Sequence, residues 1–219
     1  VIEPRWIPLL AGAGLVDHVL PLDRRDPLSV WIAMRWLRRW KPHMAFDFQG
    51  LWKSALTALL SGAGQRFGFS GEYRRERESA VLNTHSVVPS SEHVVLQNLE
   101  LTGMPTVPTK HPSPIGFPEG QLPKEPYVLA APYAGWKSKQ WPIARYAELG
   151  QRLNERKGPK LVLNVMPGAE LPASEFLWRH ESGVEGLIDA TRRATAVVGL
   201  DSGPLHLAAL MNKPGVALF

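Results

Sequence analysis

Asp201, Ser202, Gly203 and Pro204 interrupt an otherwise largely apolar stretch, AVVGLDSGPLHLAALMNKPGVALF, from Ala196 to Phe219. The run Ala196, Val197, Val198 ahead of Gly199 predicts a strand, and the polar turn after it predicts a helix start. Pro204 falls in the first helical turn, where its missing N–H would have had no partner. Backbone N–H groups left free there, backed by the positive end of the helix dipole, suit a phosphate. The same residues also read as an ordinary N-cap followed by proline, and His206 as a packed helix histidine.

A second polar turn, PYAGWKSKQWP, follows the apolar run Tyr127 to Ala131. Gly135 permits close backbone approach, Ser138 offers a hydroxyl, and Lys137 and Lys139 offer point charges for phosphate. Alone it would be an exposed basic loop. In a parallel sheet, loops that follow strands emerge at one edge, so a single diphosphate could touch both turns.

The elements that must position these turns alternate in type along the chain. A strand is expected from Leu15 to Leu22, and Asp26-Pro27 opens a helix to about Lys41. Met44 to Phe48 reads as a strand broken by Asp47, Gln49-Gly50 as a turn, and Leu51 to Leu60 as a helix stopped by Gly62 and Gly64. A strand at Arg66 to Phe69, an arginine-rich loop and a helix from Ser91 to Leu101 follow. Seven prolines between Met104 and Pro126 predict a semi-rigid linker. It divides the chain into a domain over residues 1–103, a linker over 104–126 and a domain over 127–219. Beyond Tyr127, a helix over Pro142 to Lys157, a strand over Lys160 to Val165 and a short helix near Glu185 to Arg193 lead to the terminal unit. Met166 to Val184 carries no clear pattern. The alternation predicts an α/β protein with mainly parallel sheets.

Composition bounds the function. The chain has 219 residues, 44% of them hydrophobic and 21% charged, as in a globular protein with a real core. It has no cysteine, which excludes disulfides, thiol catalysis and thiolate metal sites. A net charge of +5 and a pI near 9.6 allow anionic partners. Nucleic acid is not expected, because the basic residues form no long tract and no recognised motif occurs. Trp31, Trp36 and Trp40 lie on or near a basic helix, which reads either as an interface-facing amphipathic surface or as core packing on one face.

Three ordered groups of segments are distinctive: DFQGLWKSALTA with RFGF; AGWKSKQWP with RYAEL; and VVGLDSGPLHLAAL with KPGVALF. Together they resemble glycosyltransferase family 9, which contains the ADP-heptose:lipopolysaccharide heptosyltransferases. The resemblance implies a GT-B fold, with two Rossmann-like halves facing across a cleft, acceptor on the N-terminal half and nucleotide sugar on the C-terminal half. It implies inverting, metal-independent transfer from ADP-heptose to a Kdo-lipid A-type acceptor, with no cofactor beyond the ADP-sugar substrate. The enzyme would work in the cytoplasm, peripheral to the inner membrane. Lys139 matches the family lysine at the donor diphosphate, and Asp201, Ser202 and Gly203 match the turn at the donor's sugar and phosphate end, with His206 on the next helix. Ala134 and Ser138 join that donor loop, although Tyr133 and Ala134 stand where the family has small hydroxyl residues. Glu170 matches the acid at the adenosine ribose. Lys53, Arg74, Arg75 and Arg77 are expected to contact an anionic, lipid-linked acceptor.

Two departures go with the resemblance. The family's general-base aspartate is expected upstream of Val1, and the stretch between Glu170 and Ala194 is expected to lack a strand-bearing segment. The segment after the terminal strand, which continues the nucleotide pocket, is expected beyond Phe219, so both ends read as incomplete and residues 1–219 alone are expected to be inactive. The alternatives are a non-catalytic module that binds a sugar nucleotide or lipopolysaccharide, and another GT-B sugar-nucleotide enzyme.

Overall fold

The computed structural model describes residues 1–10, 14, 16–104 and 113–219. The chain divides into two compact units: Val1–Pro4 with Leu20–Lys110, and Arg5–Val19 with His111–Phe219. Much of the proline-rich segment, 105–112, lies outside the described residues, as does Leu15.

The first unit is built on a three-stranded parallel sheet of β1 (Met44–Asp47), β2 (Gln65–Phe69) and β3 (His85–Val87), in that order. Helix α1 (Pro27–Trp40) starts where its cap residues predict: Asp26 accepts from the Leu28 N–H at 3.0 Å, and Pro27 follows. Lys41 closes it in a left-handed conformation. Helix α2 (Trp52–Leu60) follows β1, and Gly62, at φ +82°, carries the chain out of it. Phe46, Phe67 and His85 occupy one register row and stack across the three strands, with centroids 5.0 and 4.5 Å apart. Aromatic pairs across strands stabilise pairing beyond their buried area.

Two expectations fail in this part of the chain, and a third is refined. Residues 16–22 form no strand: Pro21 makes one isolated bridge to Ile2, since proline has no N–H to give a ladder. The third helix, α3, runs Val94–Leu101 and is capped by His93, because Ser91 instead binds the Glu100 carboxylate from outside the helix. The arginine-rich loop folds into two 3-10 turns, Gly71–Tyr73 and Arg77–Leu82.

The second unit carries a five-stranded parallel sheet. Its strands are β4 (Tyr127–Ala130), β5 (Lys160–Val165), β6 (Leu177–Glu181), β7 (Ala196–Leu200) and β8 (Gly215–Leu218), in the order β6-β5-β4-β7-β8. Helices α4 (Ile143–Glu155), α5 (Val184–Arg193) and α6 (Gly203–Leu210) connect them. Side chains alternate across β4: Tyr127 and Leu129 join Val162, Ala190 and Val197 on one face, while Val128 and Ala130 meet Tyr146, Leu161 and Leu163 on the other. Burial on both faces is why these strands read as continuous apolar runs.

Strand β6 falls within Met166 to Val184, the stretch that carries no clear pattern in the sequence. Its polar residues are satisfied from elsewhere. His180 is fully buried, with Nδ1 accepting from Asn164 Nδ2 at 3.1 Å and Nε2 donating to the Glu119 carbonyl at 2.7 Å. Glu119 also accepts from the Gly183 N–H at 2.7 Å, and the Trp178 indole donates to the Gln121 carbonyl at 2.9 Å. Buried polar groups persist only with such partners.

Candidate functional site

In the second unit, β4 leads through α4 to β5 on one side, while β7 leads through α6 to β8 on the other. Chain order reverses between β4 and β7, which pair in register as Val128 with Ala196, Leu129 with Val197 and Ala130 with Val198. Ligands of open parallel sheets bind outside the carboxyl ends of the strands at such a switch point. The loop after β4 holds Ala134, Ser138 and Lys139, and the turn after β7 holds Asp201, Ser202 and Gly203. The sheet therefore delivers both polar turns to one edge.

They touch there. Lys139 Nζ lies 2.5 Å from Asp201 Oδ2, with the two side chains 44% and 43% exposed. Lys139 ends a 3-10 turn, Lys137–Lys139, whose loop is closed by Gln140 Nε2 donating to the Ala134 carbonyl at 3.0 Å. The hydrogen bond from Lys139, and then its charge, hold the Asp201 carboxyl below the usual carboxylate range. His206 Nε2 stands 4.0 Å from the other carboxylate oxygen, so Asp201 lies between a lysine and an exposed imidazole.

The helix start is open. Ser202 occupies the N-cap position of α6, yet its hydroxyl donates to the Leu200 carbonyl at 3.2 Å and no side chain caps the first turn. The helix reaches this position because Gly199 has no side chain: a Cβ there would lie 2.8 Å from Leu205 Cβ. Gly203 and Gly135 both face open space. Glu170 lies in the loop after β5, beside β4, and is exposed; its carbonyl accepts from the Tyr133 hydroxyl, which ties the β4 and β5 loops together. Arg179 fastens the same loop through the Ala169 carbonyl at 2.7 Å. The sequence marks Tyr133 only as a departure from the hydroxyl residues of the family, and nothing local foretells that tie.

The acceptor-side candidates separate. Lys53, on α2, is exposed and lines a groove of about 540 Å³ in the first unit, together with Trp40, Phe46, Phe48 and Gln49. Arg75 and Arg77 are exposed and do not line it. Arg74 is a correction. Its side chain is 0% exposed and is consumed by a buried pair, Nη2 to Asp47 Oδ2 at 2.6 Å, with further donation to Ser79 Oγ and the Phe69 carbonyl. Asp47 Oδ1 accepts from the N–H groups of Gln49 and Gly50 at 3.0 and 3.1 Å. Arg74 thus braces the turn after β1 and is not available to an acceptor. Asp47 reads in sequence as a strand breaker because its partner is 27 residues away.

A model of glycosyltransferase family 9 (heptosyltransferase) matches residues 31–219. Lipopolysaccharide heptosyltransferase 1 of Pseudomonas aeruginosa is 27% identical over 251 residues, covering 100% of this chain and 68% of the relative. Lipopolysaccharide heptosyltransferase 2 of Escherichia coli is 24% identical over 258 residues, covering 100% of this chain and 73% of the relative. Among solved structures, E. coli ADP-heptose lps heptosyltransferase II aligns with a TM-score of 0.74 at 21% identity, over 99% of this chain and 73% of that one. E. coli heptosyltransferase WaaC with ADP-2-deoxy-2-fluoro heptose aligns with a TM-score of 0.66 at 18% identity, over 92% of this chain and 72% of that one. The fold is accordingly the α/β, GT-B type expected from the sequence. With the family model covering most of its length, the chain belongs to glycosyltransferase family 9, the heptosyltransferases.

Proposed function

We propose that this chain binds ADP-heptose at the β4–β7 switch point, as the donor site of a protein that transfers heptose to the inner core of lipopolysaccharide, a Kdo-lipid A-type acceptor. The observation that carries the reading is the meeting of Lys139 with Asp201 beside an uncapped helix start. The curated relatives named lipopolysaccharide heptosyltransferase, and the WaaC structure with a fluorinated ADP-heptose, support the choice of donor.

The roles follow from charge. A diphosphate recruits the Lys139 ammonium and the open N–H groups around Ser202 and Gly203. Asp201 is ionised at neutral pH, so it repels phosphate and instead accepts from hydroxyls of the sugar. Glu170, exposed beside the β4 loop, accepts from ribose hydroxyls, while His206, Ala134 and Ser138 line the same edge. In the transfer, the acceptor oxygen attacks the anomeric carbon from the face opposite the diphosphate, a base takes its proton, and the bond to the departing phosphate oxygen breaks. Charge grows on the departing ADP, and pre-positioned donors such as Lys139 stabilise it without a metal. Lys53, Arg75 and Arg77 contact the anionic acceptor, and the reaction runs at the cytoplasmic face of the inner membrane.

Calorimetric titration with ADP-heptose, ADP-glucose and a UDP-sugar tests the reading. Binding of ADP-heptose above the others, and transfer that a chelator leaves unchanged, are expected. Selective binding of the UDP-sugar would sink the donor assignment while leaving the fold intact.

A further inference from the structure

Helix α1 packs into its unit through Val30, Ala33, Met34 and Leu37, of which Ala33 and Leu37 are buried. At 3.6 residues per turn, Leu28, Trp31, Ile32, Arg35, Arg38 and Arg39 fall within an arc of about 120° on the opposite side. Leu28, Trp31 and Ile32 are 61%, 57% and 50% exposed. The Arg35 guanidinium lies 5.3 Å from the centre of the Trp31 ring, and Arg38 Nε donates to the Leu60 carbonyl at 3.1 Å. No acidic residue occurs in the helix. The acids nearest its start, Asp23 and Asp26, accept from the Arg25 and Leu28 N–H groups at 2.9 and 3.0 Å. The outward face is thus apolar at its N-terminal half and cationic at its C-terminal half.

We infer that this face of α1 docks the protein on an anionic phospholipid surface, with Leu28, Trp31 and Ile32 entering the headgroup boundary and Arg35 and Arg39 meeting lipid phosphates. Charge selects this occupant. A second copy apposing the same face would set the arginines against its own arginines or against its apolar half, with no acid in the helix to pair them, whereas an anionic bilayer complements them. The apolar side chains project from a convex helix, which fits a fluid interface, and tryptophan beside arginine is typical at that depth. The helix lies on the surface: its 14 residues span about 21 Å, and no helix among the described residues is long and apolar enough to cross a membrane. The inference rests on the reading of a membrane-borne acceptor for its sense, and vesicles free of that acceptor keep its test separate.

The full chain is mixed with vesicles of phosphatidylcholine alone or with 30% phosphatidylglycerol, and partitioning is read by flotation. Each arginine near an anionic surface contributes about fivefold. Arg35→Gln with Arg39→Gln should therefore weaken partitioning into the anionic vesicles about 25-fold, and Trp31→Ser with Ile32→Ser should weaken it further. Quenching of tryptophan by brominated lipid should fall with Trp31→Ser. Thermal melts and ADP-heptose titrations of the same variants should match the parent chain, which separates loss of docking from loss of fold and from failure of the donor reading. Equal partitioning of parent and arginine variants, equal binding to neutral and anionic vesicles, or no binding at all would each overturn the inference.

Discussion

Replacing Lys139 with methionine keeps the length of the side chain and removes its charge. In the free protein that charge rests on Asp201, 2.5 Å away, with both side chains nearly half exposed. An exposed pair contributes little to folding, so the melting temperature should move by no more than a degree or two. The effect on a bound diphosphate is larger. A lysine about 4 Å from a phosphate charge is worth about fivefold in affinity if fully solvated and several hundredfold in a surface-like dielectric. Half exposure puts Lys139 between these limits, and a loss of about 30-fold in ADP affinity is expected. Turnover should fall further, by about 10² to 10³, because one pre-positioned donor to the growing charge is gone. The acid side carries a second signature. Lys139 lowers the Asp201 carboxyl, so the pair adds stability above the ordinary aspartate range, and that increment is lost as pH falls through the depressed value. In Lys139→Met, the Asp201 carboxyl should titrate at higher pH by NMR and the increment should vanish. Calorimetry with ADP and a transfer assay are the decisive measurements; unchanged ADP affinity together with unchanged turnover would refute the placement of the diphosphate at Lys139.

Two further outcomes test the scaffold. Arg74→Met strands the Asp47 carboxylate in a buried position and should lower stability by about 3–5 kcal/mol in urea unfolding, with Asp47→Leu added to it restoring much of the loss; an unchanged midpoint would show that the pair does not brace this unit. Gly199→Ala sets a Cβ 2.8 Å from Leu205 Cβ and should lower stability by about 1–3 kcal/mol while weakening ADP binding, and Leu205→Ala in the same chain should restore part of both; wild-type values for the single variant would mean that α6 does not need this close approach.

Local signals carried much of the fold. Asp26 and Pro27 mark the start of α1 because cap chemistry is contained in adjacent residues, and β5 reads to the residue because both its faces are buried. Strand β6 escaped because Arg179, His180 and Glu181 look like loop residues until Asn164, Ala169 and Glu119 are brought beside them. Arg74 reads as an anion contact for the same reason: its partner Asp47 is remote in sequence, and only the parallel pairing of β1 with β2 brings them together. The convergence of the Lys139 and Asp201 turns was legible, since loops after parallel strands share an edge. What sequence pattern could not convey was that Ser202 would leave its helix uncapped and that Tyr133 would tie the neighbouring loop.

The strand order β6-β5-β4-β7-β8 also bears on how the protein comes to be folded. Strand β4 finds β5 after one helical connection, but its other neighbour comes from much later in the chain, and Lys139 and Asp201 are 62 residues apart. Closing so long a loop costs entropy that only the completed sheet offsets, and pairings of this kind form slowly. During synthesis, the edge that carries the two turns cannot exist until β7 and α6 have emerged and docked. Any ligand of that edge is therefore a reporter of the finished unit, and its binding rate during refolding would time the last long-range step.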